Sequence, residues 1–124
     1  PLLWRNQMSI HPADRKIETL DDLKKLREAH EPLFGLGMIY ATPAAMLHLV
    51  QFVHPHGSLL VRHSHGDYGE LSSDDRRLND QAIINGGRIL SAYTVVGKNL
   101  YVITEAQNDD GVRATTTVLL KCEH

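Results

Sequence analysis

Apolar residues recur at helical spacing through the first two-thirds of the chain and at strand spacing through the last third. Leu20, Leu23 and Leu26 share one helical face. Thr19 stands just ahead of them, where its hydroxyl can cap the amide of Asp22. Acidic Asp21 and Asp22 lead and basic Lys24, Lys25 and Arg27 follow, the order favoured by the helix dipole, and Pro32 closes the segment. The apolar run 37–41 has strand character. Thr42-Pro43 reads as an N-cap with proline at the first helical position, predicting a helix over 43–53 with Met46, Leu47, Val50 and Phe52 or Val53 inward. A turn at His54-Pro55-His56-Gly57 follows. Ser58 can cap a short helix over 59–64, with Gly66 as its left-handed stop. Ser72 or Ser73, followed by Asp74 and Asp75, opens a further helix to about Ile84, closed by Asn85-Gly86-Gly87.

Past Gly87 the period becomes two. Segments 88–96, 100–106 and 112–120 alternate or carry β-branched residues. The gaps between them hold Gly97-Lys98-Asn99 and Asn108-Asp109-Asp110-Gly111, which is hairpin chemistry. The expected fold is α+β: N-terminal helices packed on one face of an antiparallel sheet of three to four strands, a C-terminal meander joined by the 37–41 strand. Residues 1–18 lack a clear period and read as an N-terminal extension that wraps the body or frays; 19–124 read as one domain.

Composition narrows the classes. Hydrophobic and charged contents of 42% and 23% suit a globular protein. No apolar run approaches the ~20 residues that span a bilayer, so no membrane partner is expected. A net charge of −2 counts against a protein that coats DNA. The single cysteine, Cys122, can form no internal disulfide, which suggests a reducing cytoplasm.

Candidate chemistry concentrates in Arg62-His63-Ser64-His65-Gly66-Asp67-Tyr68-Gly69-Glu70. Side chains able to move protons near neutrality rarely gather so densely on an indifferent surface. Cleavage of a phosphodiester by a ribose 2′-hydroxyl needs a base, an acid and a cation over the phosphate. His63 or His65 would supply the base or acid, Glu105 or Tyr93 the opposing partner, and Arg62 and Arg88 a bidentate phosphate clamp. Arg88, Ser91 and Tyr93 lie on the first meander strand, where Ser, Tyr and Thr side chains would make a polar floor for a nucleotide. The expected pocket is catalytic His63 and Glu105 with Arg62, Asp67, Tyr68, Arg88 and Tyr93 binding substrate, and it needs no cofactor.

Competing readings exist. Gly66 can simply end a helix, Asp67 bond backbone amides, Tyr68 cover the core, and Arg62 pair with Asp67 or Glu70. His54/His56 and His63/His65 are H-x-H pairs, but their spacing matches no strong zinc signature, so no metal is assigned. Serine hydrolysis is weaker still, since no G-x-S-x-G elbow is present.

From 42 to 120 the chain resembles a group of small uncharacterised proteins of plasmids and other mobile elements. Arg62-His63, Gly66-Asp67-Tyr68-Gly69, Asn79, Gly87-Arg88-Ile89-Leu90-Ser91-x-Tyr93, Ile103-Thr104-Glu105-Ala106 and Thr115-Thr116-Thr117-Val118-Leu119-Leu120 carry the likeness. Tryptophan is usual in that group where Tyr68 stands here. The group implies no assigned activity. A looser likeness, in expected topology alone, is to ribonucleases of the barnase and RelE type. Two functions are therefore expected in competition. One is a metal-independent ribonuclease acting on RNA or a nucleotide; the other is a non-catalytic, anti-defence or regulatory module engaging a protein partner.

Overall fold

The computed structural model describes residues 17–51 and 56–124. Residues 1–16 and 52–55 lie outside the described residues. With them go the expected wrapping of the N-terminal extension, the inward placement of Phe52 or Val53, and the His54-Pro55 half of the expected turn. His56 and Gly57 are helical instead, so Ser58 lies inside a helix that begins earlier than expected and does not cap it.

The fold is α+β. Helix α1 (Leu20–Glu28) opens with a full capping box: the Thr19 hydroxyl accepts from the Asp22 amide while the Asp22 carboxylate accepts from the Thr19 amide. After strand β1 (Met38–Ala41) come α2 (Pro43–Gln51), α3 (His56–Ser64) and α4 (Ser73–Asn85). Ser72 caps α4 at its start, and Gly86, at φ 82°, ends it in the left-handed conformation that glycine tolerates. Strands β2 (Ile89–Val95), β3 (Lys98–Thr104) and β4 (Thr115–Leu120) complete the chain before a 3₁₀ turn at Lys121–Glu123.

The sheet order is β1-β4-β3-β2. The β2–β3–β4 meander is antiparallel, with Val102 opposite both Ser91 and Val118. β1 joins as expected, but parallel to β4, so the sheet is mixed rather than wholly antiparallel. Strand direction follows from the chain path through three intervening helices, which local sequence does not encode.

The core lies between the helices and one sheet face. Ala45 and Leu49 of α2 and Leu59 and Leu60 of α3 pack on Tyr93, Val95, Leu100, Val102, Val118 and Leu120. A second cluster joins Leu23 of α1, Leu33, Phe34, Tyr68, Ile83 of α4 and Ile89. One expectation reverses here. Leu47 and Val50 point outward, 69% and 67% exposed, while Ala45, His48 and Leu49 point inward. Tertiary bonds set that phase: the Thr42 amide bonds Val118, the Thr42 hydroxyl accepts from the Ala45 amide, and His48 Nε2 donates to the Val95 carbonyl at 2.6 Å.

Candidate functional site

The histidine-rich segment spans the end of α3 and the loop beyond it, and its residues go to separate places. His63 turns inward and is fully buried. Its Nε2 lies 2.9 Å from the Thr104 hydroxyl and its Nδ1 2.5 Å from the Ser91 hydroxyl. The Thr104 hydroxyl meets that of Thr116 at 2.7 Å, and Thr116 donates to the Leu36 carbonyl. That last bond fixes every proton in the row. Thr116 spends its hydrogen on Leu36, so Thr104 donates to Thr116, Nε2–H donates to Thr104, and Nδ1 accepts from Ser91. The ring is therefore the neutral Nε2–H tautomer.

Electrostatics agree with that assignment. Burial, with the nearby Arg113 guanidinium, pushes the His63 pKa down to about 3. The edge of the Phe34 ring, 5.0 Å between centroids, completes the imidazole's surroundings. A ring dry and bonded at both nitrogens is a poor acid or base for a substrate. Glu105, the expected partner, follows Thr104 directly in the chain but is exposed, and its carboxylate lies 3.8 Å from Arg88 Nε. The acid–base pair is not assembled.

The substrate-binding candidates divide likewise. Arg62 Nε meets Asp67 Oδ2 at 2.7 Å and its guanidinium lies 4.6 Å from the Tyr93 ring centroid. Asp67 also accepts from the Gly69 amide, and its carboxyl pKa is lowered, chiefly by the bond from Arg62. Tyr93 is buried and donates to the Asp67 carbonyl at 2.6 Å. Tyr68 is buried as well and donates to Asp80 at 2.7 Å; the same carboxylate takes two bonds from Arg27. Burial raises the pKa of both phenols, so neither ionises near neutrality. Arg88 precedes Tyr93 by five residues along the strand direction, roughly 16 Å at ~3.3 Å per residue. Arg62 and Arg88 therefore do not converge on one phosphate. Ser91 faces the helices, not an open floor. What gathers around the loop is a set of fastenings: Arg62–Asp67–Tyr93, Arg27–Asp80–Tyr68, and the His63 row.

Sequence reasoning passed over Arg113. It is buried, has no carboxylate partner among the described residues, and donates instead to the carbonyls of Gly87, Glu105 and Ala82. Ala82 and Gly87 flank the C-terminal end of α4, where the helix dipole is negative, so backbone dipoles balance the charge.

The sequence analysis expected β1 as a strand but not as a candidate site. Met38, Ile39 and Tyr40 are 62%, 46% and 51% exposed. The Met38 amide donates to Ala114 and the Thr42 amide to Val118, so the even-numbered residues address β4. By the two-residue period, the N–H and C=O of Ile39 and Ala41 point away from the sheet. Among the described residues no strand lies on that side. A sequence signal was present: no Asp, Glu, Lys or Arg occurs between Glu31 and Arg62. β1 and the exposed Leu47 and Val50 of α2 both fall within that uncharged tract.

No family model, curated protein or solved structure matches the chain. Among the described residues no helix is long and apolar enough to cross a membrane.

Proposed function

We propose that this chain is a cytoplasmic mobile-element accessory protein working as a non-catalytic binding module, and that it engages a protein partner by strand addition at β1. The open edge carries the reading. Two residues, Ile39 and Ala41, offer paired backbone donors and acceptors outward, flanked by exposed Met38 and Tyr40, with no charge to repel an incoming strand. The usual edge protections (lysine, proline, a bulge) are missing from 38–41. The resemblance of 42–120 to mobile-element proteins supports the setting, and Cys122, exposed and unpaired, suits a reducing compartment. The ribonuclease reading gives way, because it would require His63 to leave the core and the two arginines to meet.

The test places a photo-crosslinking benzoylphenylalanine at Tyr40 or, as control, at Thr94 on the opposite border of the sheet, in the full chain expressed in cells. Adducts at position 40, none at 94, and their loss on adding Ile39→Pro are the expected result. Equal adducts at both positions, or none at 40, would sink the reading.

A further inference from the structure

We infer that the occupant of the β1 edge is a second copy of this chain, with the two β1 strands antiparallel about a two-fold axis at Tyr40. The inference rests on the reading of β1 as a protein-binding edge and names the partner.

Three observations support a like partner. The first is register. In antiparallel pairing, residues directly opposite alternate between those that exchange two hydrogen bonds and those that exchange none. The outward groups belong to Ile39 and Ala41. Centring the axis on Tyr40 sets Ile39 against Ala41 of the second copy, and Ala41 against its Ile39. Each pair exchanges both bonds, so all four outward groups of each strand are satisfied. The side chains fit the same register, since the large Ile39 meets the small Ala41 and the two Tyr40 rings stand at the closely spaced, non-bonded position.

The second observation is charge. Two identical charged surfaces oppose like against like, but the tract between Glu31 and Arg62 has no Asp, Glu, Lys or Arg. Apposing it with itself meets no such repulsion, whereas a charged partner would lose hydration against a surface with no counter-charge.

The third is closure. The opposite border, β2, is occupied at two of its three outward-facing residues, Leu90 and Ala92. Asn79 bonds both the N–H and the C=O of Leu90, and the 68–70 backbone bonds both those of Ala92. Edge-to-edge growth therefore stops at two copies, giving a continuous eight-stranded sheet instead of a fibre.

Sedimentation velocity of the purified full chain over a concentration series tests this. The wild type should move from the 13.9 kDa species to one of twice that mass. Ile39→Pro should remain at the single-chain mass. Its ring removes only an outward N–H, so the β1–β4 ladder is spared. Should that variant misfold, a charge swap replaces it. Tyr40→Lys and Tyr40→Glu should each weaken self-association tenfold or more, because each charge faces its own copy, and mixing the two should restore a dimer. A wild type that stays at the single-chain mass throughout overturns the inference, as does a mixture that fails to recover. If the purified chain is single while Tyr40 still gives adducts of another mass that Ile39→Pro abolishes, the like-partner inference falls and the binding-edge reading stands. Absence of any adduct at Tyr40 removes both.

Discussion

The two borders of this sheet are built on opposite plans. Along β2, the side-chain amide of Asn79 imitates a neighbouring strand for Leu90, and the 68–70 backbone does so for Ala92 through a short bridge at Gly69. Gly69 can sit there because it takes φ +74°, and because a Cβ would run into the Ala92 carbonyl oxygen. Along β1 nothing comparable stands among the described residues, and the strand offers Met38, Ile39 and Tyr40 to the outside. An unpaired strand border is a hazard that proteins ordinarily blunt. One border closed with such care beside one left bare is the pattern of a surface kept for a partner.

His63→Ala should cost the most, about 3–5 kcal/mol of unfolding free energy in urea, because it strands the Ser91 and Thr104 hydroxyls and opens a cavity beneath β2 and β3. An unchanged midpoint would return His63 to the list of candidate catalysts. Asn79→Ala should cost about 2–3 kcal/mol by leaving the Leu90 N–H and C=O without partners on a nearly closed border. A negligible loss would mean that the β2 edge does not need its cap.

Acid comes next. The folded protein refuses a proton on His63 until about pH 3, whereas the unfolded chain accepts it at its ordinary 6.5. The stabilisation is complete above about pH 6.5 and is lost as pH falls towards 3, at most about 1.4 kcal/mol for each unit. Thermal midpoints measured across that window should fall more steeply for the wild type than for His63→Gln. Parallel curves would show that the imidazole is not held neutral. The smallest effect belongs to Ile39→Pro, within about 0.5 kcal/mol of wild type in urea at dilutions where both chains are single, since only an outward N–H is lost. A large destabilisation at that dilution would mean that an element of the same chain already pairs the outer side of β1.

Much of the fold was legible because it rests on local chemistry. The caps at Thr19, Ser72 and Gly86 and the three meander strands stand where side-chain type and period put them. The phase of α2 was not legible. Pro43-Ala44-Ala45-Met46-Leu47 offers apolar residues all round, so only long-range bonds from Thr42 and His48 choose the inward face. The site misled for a related reason: sequence gives residue types but not depth, and an imidazole looks equally reactive buried or bare. A signal did exist in Ser91, Thr104 and Thr116. They occupy the core-facing positions that Tyr93, Val102 and Val118 share, and hydroxyls placed there demand a buried partner. The long gap in charge between Glu31 and Arg62 was equally visible and points to the open border.

The hydroxyl row has one more consequence, which concerns alignment. Ser91, Thr104 and Thr116 sit on three different strands, yet all answer directly or in sequence to a single ring carried by α3. Sliding β2, β3 or β4 by one position would turn its hydroxyl to the far side of the sheet and leave polar atoms dry. His63 thus serves as a gauge: mis-threaded sheets are penalised at the moment α3 docks, before any partner arrives.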